Sequence, residues 1–249
     1  MQQSLQADYL RDGFVLVRSV FDSAGVAKLA AACDRLKRLP GAQGSESLQT
    51  HTRQTISGEQ VIDRVDPVAD LDPCFVAYLE SPVLLQLLEH LIGEPVHRFK
   101  DKLIWKNPGV SGYELHQDYT FWNHAGVPAD AMINATIAID ASTTSQGSIK
   151  LYAGHHRKHC RATAVSGGIF TAGAGVMQRE LLGETRPFQP DMAPGDVLFF
   201  HALTPHESDP NLSSESRRVL MGSYSAARFG AIRNQFYRGY RASIAGASQ

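Results

Sequence analysis

The 249-residue chain is expected to fold as a mainly β domain, a sandwich or barrel with helices packed outside it. Three observations carry that expectation. From residue 96 onward apolar residues recur with period two, the spacing that sends alternate side chains to opposite faces of a strand. The strands so delimited are short and punctuated by Gly, Pro and Ser, as in all-β architectures. The main helical periodicities fall before residue 96, so helices come first and strands after, which suits helices laid against one β core. A single domain over 1–249 is expected, with 1–95 a helical N-terminal elaboration and 96–240 the β core.

Taken in order, Ser4–Asp12 reads as a short helix ended by Gly13, and Phe14–Val20 as a β-branched, apolar strand. Asp22 or Ser23 can cap a helix in which Val26, Leu29, Ala30, Cys33 and Leu36 recur at helical spacing before Pro40 and Gly41 stop it. Residues 41–60 are polar and follow neither period, so they read as a loop and a candidate lid. Ser81–Ile92 is a second amphipathic helix, with Pro82 at its start and Gly93 just past its end. In Val96–Lys106 one face carries Phe99, Asp101, Leu103 and Trp105, and the other Lys100, Lys102, Ile104 and Lys106. After the turn Asn107–Gly112 come strands at Tyr113–Trp122, Ala131–Asp140, Ser148–Tyr152, Val197–His206 and Arg217–Tyr224. The Gly-rich stretch from Gly167 to Gly183, continuing to Pro190, is a second candidate lid.

Composition narrows the function. With 24 basic and 25 acidic residues, the net charge of −1 argues against a nucleic-acid ligand or a polybasic membrane anchor. Three scattered cysteines, Cys33, Cys74 and Cys160, are not a disulfide framework and suit a reducing compartment. Met1–Asp8 has no signal-peptide pattern and no apolar run reaches spanning length, so a cytoplasmic location and a small-molecule partner are expected. The oligomeric state is not legible.

The chemistry centres on Leu115-His-Gln-Asp118. In a strand, His116 and Asp118 share a face and aim an imidazole and a carboxylate at one point, with Gln117 turned away. A third ligand must come from a distant strand, and His206 is the candidate. Two His and one carboxylate on one face of a metal is the arrangement of non-haem Fe(II) oxygenases. If the strands around 206 and 217 form a hairpin, Arg217 lies opposite His206 and can fork onto the distal carboxylate of a 2-oxo acid. That pairing favours His206 over the rival His201. Lys102 is a further candidate for binding the 2-oxo acid's carboxylate if its face lines the barrel, and Tyr119, Trp122, His156 and Asn134 are candidates for a substrate pocket. His155 and His159 have a zinc-like spacing but lie in a basic loop with Arg157, Lys158 and Arg161. Two other classes compete: a metalloprotein with isomerase or hydrolase chemistry, and a sensor that has lost turnover.

Together these segments resemble the phytanoyl-CoA dioxygenase-like (PhyH) family of Fe(II)/2-oxoglutarate-dependent oxygenases. The resemblance rests on His116-Gln-Asp118, on Gly195-Asp-Val-Leu-Phe-Phe200, and on His206-x-Ser208 followed by Asn211-x-Ser213 and Arg217-Arg218. Ile137–Asp140, Gln146–Ile149 and Gly154–His156 resemble the family's middle block, with Gln146 where Asn is usual and His155 where Ser is usual. The resemblance implies a double-stranded β-helix (jelly roll, cupin-like) enclosing Fe(II) held by His116, Asp118 and His206. It implies 2-oxoglutarate on Arg217 and Ser208, O2 as co-substrate, and hydroxylation of a small metabolite or biosynthetic intermediate with release of succinate and CO2. Trp122 matches an aromatic near the site in relatives. The carboxylate of Asp118 favours hydroxylation over halogenation.

Overall fold

The computed structural model describes residues 2–36, 49–160 and 175–239. Among them ten strands form two antiparallel sheets. In chain order these are β1 (Phe14–Val17), β2 (Gln49–Gln54), β3 (Gln60–Asp66), β4 (Val96–Lys106), β5 (Tyr113–His116), β6 (Met132–Ala138), β7 (Ile149–Leu151), β8 (Val197–His201), β9 (His206–Ser208) and β10 (Arg217–Ala226). The large sheet runs β1-β8-β6-β10-β4-β3-β2 and the small one β5-β9-β7. The two face each other as a double-stranded β-helix.

Period-two patterning sorts the large sheet's side chains. Leu103, Trp105, Ala135, Ile137, Val197, Phe199 and Leu220 point outward into one core with the helices. Ile104, Ala138, Leu198, Phe200, Val219 and Met221 point inward into another. The register brings Val219 opposite both Ile104 and Ala138, and Met221 opposite both Lys102 and Thr136. Outside lie α1 (Gln2–Asp12), α2 (Ser23–Leu36), α3 (Pro73–Leu79) and α4 (Pro82–Ile92). Their buried faces, including Tyr9, Leu29, Cys33, Phe75, Leu84 and Leu88, cover the large sheet. Gly93 ends α4 in the left-handed region, at φ 85°. No single described helix is long and apolar enough to cross a membrane; α3 and α4 qualify only as a bent pair, and both contribute to the core.

Three expectations are corrected. The N-terminal segment is not only helical: β1, β2 and β3 belong to the large sheet, so 49–54 of the expected loop 41–60 is an edge strand. Its polar sequence, Gln-Thr-His-Thr-Arg-Gln, hid a strand held by backbone pairing with β3. Residues 41–48 of that expected lid, and 167–174 of the second, lie outside the described residues. The run 197–206 is two strands on different sheets, broken by a turn at 202–205. Finally, α3 was not anticipated; Asp72 caps it by accepting from the Cys74 N–H at 2.9 Å.

Candidate metal centre

β5 ends at His116, and Asp118 stands at the head of the short α5 (Tyr119–Trp122) with helical φ −58° and ψ −33°. A turn, and not strand alternation, therefore brings the carboxylate beside the imidazole. Gln117 holds that turn. Fully buried, its amide donates to Lys158 O at 2.9 Å and Leu203 O at 2.7 Å, and its oxygen accepts from Cys160 N at 2.9 Å. The second histidine arrives by pairing, since His206 of β9 lies directly opposite His116 of β5.

Ligand atoms of His116, Asp118 and His206 all lie within 4.8 Å of one another. Each Nε2 is 3.8 Å from an Asp118 oxygen, His116 from Oδ1 and His206 from Oδ2. Each Nδ1 faces a backbone carbonyl, Glu114 O at 2.6 Å and Thr204 O at 2.9 Å. That contact places the proton on Nδ1 and leaves Nε2 as a lone-pair donor, as a metal-binding imidazole requires. Asn134 Nδ2 donates to Asp118 Oδ2 at 3.0 Å, and Asn134 in turn accepts from Ser223 Oγ at 2.8 Å. Burial and the neighbouring His206 push His116 down to about 3, and burial lowers His206, so both rings are neutral. Burial raises the Asp118 carboxyl, but nearby positive charge, Lys102 foremost, outweighs it and holds the group below the usual carboxylate range. Two neutral imidazoles and one carboxylate fit a divalent transition metal.

The triad opens onto a pocket between the sheets. Lys102, Ile104, Thr136, Arg217, Val219 and Met221 line it from the large sheet, and Tyr113, Ile149 and Ser208 from the small one. Arg217 does not pair with His206 in a hairpin, as expected from sequence. It pairs with Lys106 on the large sheet, while β9 belongs to the small sheet. Both nonetheless line this one pocket. Arg217 is buried, which lowers it to about 10, and it donates to Gly147 O at 3.0 Å and Gln146 O at 3.4 Å. Arg218 faces the other way and forks onto Asp140 at 2.8 and 2.9 Å. Lys102 has no hydrogen bond or ion pair with any described residue. The Thr136 hydroxyl is buried and without a partner among the described residues.

The remaining candidates disperse. Trp122 is buried edge-on against Phe99, in a cluster with Phe236 and Tyr237. Tyr119 donates to Val127 O at 3.2 Å and meets the His159 ring. Asn134 supports Asp118 from behind. His156 and His201 line a separate cavity of about 250 Å³ with Tyr9 and Asp130. His155 bonds Thr185 at 2.9 Å and His159 bonds Thr120 at 3.2 Å, so the zinc-like pair goes to separate partners. Gln146 closes its own turn by accepting from Thr143 N and Oγ1 at 3.2 and 3.0 Å. Sequence reasoning did not single out Gln117, Tyr113, Thr136 or Lys106. The β4 alternation already put Lys106 on the Lys102 face; Gln117 and Thr136 carry no local signal.

The phytanoyl-CoA dioxygenase (PhyH) family profile matches residues 9–219. A methylphosphonate hydroxylase of Gimesia maris is 34% identical over 160 residues, which is 62% of this chain and 55% of that protein. The match thus spans little more than half the length of that relative. A 2-aminoethylphosphonate dioxygenase of an uncultured bacterium is 25% identical over 185 residues, covering 74% of this chain and 67% of that one. Among solved structures, EctD from S. alaskensis, determined with 2-oxoglutarate and 5-hydroxyectoine, superposes with a TM-score of 0.76 at 20% identity, over 90% of this chain and 76% of that one.

Proposed function

The chain belongs to the phytanoyl-CoA dioxygenase family, and on that premise we propose that it is an Fe(II)- and 2-oxoglutarate-dependent dioxygenase that hydroxylates a small molecule. The observation that carries this reading is one pocket with a two-histidine, one-carboxylate cluster at one side and a buried arginine among its lining residues. His116, Asp118 and His206 would hold the metal, which when bound supplies a centre where a 2-oxo acid and O2 react and a C–H bond is oxidised. Arg217 binds the distal carboxylate with a fork that a lysine would not offer. Ser208 adds a donor beside it. Ile104, Ile149, Met192, Val219 and Met221 line the pocket and keep water from the co-substrate chain. Asn134 steadies the metal-facing carboxylate, and the Nδ1 contacts fix the imidazole tautomers.

For the substrate we propose a small anion of the phosphonate class. The names of the two relatives support it, and so does Lys102, an ammonium in the triad's pocket with no hydrogen bond or ion pair among the described residues. A cation with no direct ion pair beside a buried metal site favours an anionic ligand.

An anaerobic titration tests the co-substrate. Metal-free protein is loaded with Fe(II), 2-oxoglutarate is added, and the weak visible absorption of a chelated 2-oxo acid is followed. The expected result is a band in wild type that weakens in Arg217→Ala. Iron binding with no band would remove the reading. Succinate release with methylphosphonate or 2-aminoethylphosphonate, and none with uncharged analogues, tests the substrate class.

A further inference from the structure

Lys106 closes β4 behind two residues that line the pocket, Arg217 and Ser208, and is fully buried. Its ammonium donates to Gly147 O at 3.1 Å, to Ser208 Oγ at 2.9 Å, and to Asp209 O. Burial and the neighbouring Arg217 lower this lysine to about 7, but three oxygens around one nitrogen are the surroundings of the ammonium; in that form three donors meet three acceptors and none remains for a ligand. Ser208 Oγ also accepts from the Tyr113 backbone N–H at 3.1 Å. A hydroxyl oxygen has two lone pairs and one proton. Both lone pairs are taken, so this hydroxyl can only donate. It has no acceptor among the described residues, although Ser208 lines the pocket.

Arg217 stands opposite Lys106 in the β10–β4 pair and donates to the same carbonyl, Gly147 O. Neither cation has a carboxylate within ion-pair distance among the described residues. Two desolvated cations without a contacting counter-charge make this end of the pocket a place for an anion.

We infer that Lys106 is a positioning residue for the co-substrate: it locks the Ser208 hydroxyl as a donor toward the carboxylate that Arg217 receives. Without Lys106, one lone pair of Ser208 Oγ is freed, and the hydroxyl can rotate to present it to that carboxylate, which repels it. The inference rests on the co-substrate reading above, and it concerns a residue that touches no ligand.

The test is a double-mutant cycle read by anaerobic calorimetric titration of Fe(II)-loaded protein with 2-oxoglutarate. Lys106→Met and Ser208→Ala are each expected to raise Kd by about tenfold or more, the scale of one hydrogen bond to a charged group. In the Ser208→Ala background, Lys106→Met should then add much less than it does alone, because its effect runs through the hydroxyl. Titration with 2-oxobutyrate, which lacks the distal carboxylate, should change little in either variant. Lys106→Gln, whose amide can still donate to Ser208, should restore most of the affinity and covers the case in which the methionine variant fails to fold. Effects that multiply across the cycle would overturn the inference, as would equal weakening of 2-oxobutyrate. Wild-type protein that binds no 2-oxoglutarate would overturn the co-substrate reading and this inference together.

Discussion

Asn134 sits behind Asp118, and its amide steadies the oxygen that faces His206. Asn134→Ala should therefore weaken Fe(II) or Zn(II) binding about tenfold to a hundredfold, measured by chelator competition, with little change in fold. The adjacent arginines separate two roles. Arg217→Ala is expected to raise the KM for 2-oxoglutarate by about a hundredfold, since a charged hydrogen-bonding partner is lost from a buried site. Arg218→Ala should leave that KM nearly unchanged and lower stability by about 1–2 kcal/mol, because Asp140 loses its guanidinium partner and keeps only the backbone N–H of residue 218. Equal effects on KM would sink the distinction. At this scale the motif residues were legible, because HxD and His-x-Ser are contiguous chemistry. Asn134 was legible only as a candidate for the substrate pocket, and its partner 16 residues earlier is supplied by the fold.

The elements show where patterning suffices and where it does not. β4 alternates regularly enough that its two faces could be told apart, Lys102, Ile104 and Lys106 on one of them, but which face turns inward was left open and is set by the fold. The hairpin expected between 206 and 217 failed because periodicity says which face a residue takes and nothing about which strand lies beside it. β9 is only three residues long and joins the small sheet, where backbone pairing with β5 sets His206 against His116. That approach is tight. A Cβ at Gly112 would lie 1.8 Å from Ser208 O, whereas one at Gly154 meets nothing within 4 Å. Gly112→Ala should force β5 from β9, costing more than about 3 kcal/mol and abolishing tight metal binding. Gly154→Ala, at φ 78°, should cost only about 1–2 kcal/mol for its left-handed backbone and leave the metal site intact. Thermal melts and metal titrations on both variants compare them directly.

The whole molecule carries histidines away from the triad, His201 buried and His51 half-buried, that bear on its pH range. Burial holds His51 and His201 down to about 4, against an ordinary 6.5. Below 6.5 the unfolded chain takes up protons that the folded one refuses, so stability is full above 6.5 and falls as the pH drops toward 4. At pH 5 each such histidine costs on the order of 2 kcal/mol. Thermal midpoints of metal-free protein between pH 7.5 and 5 should fall accordingly, and His201→Gln should flatten the slope. A slope of the opposite sign would remove the burial argument. The large-scale layout was legible as β core plus helices, but β2 was not, because an edge strand made of polar residues has no apolar period to read. The two sheets are unequal: seven strands backed by helices face three short ones. The triad's histidines stand on the short sheet and Arg217 on the long one. A molecule gripped at one end by the metal and at the other by that arginine is a rivet through both walls. On the function proposed above, the small sheet then owes part of its rigidity to its cargo, and each turnover, by shortening that cargo, releases one wall from the other.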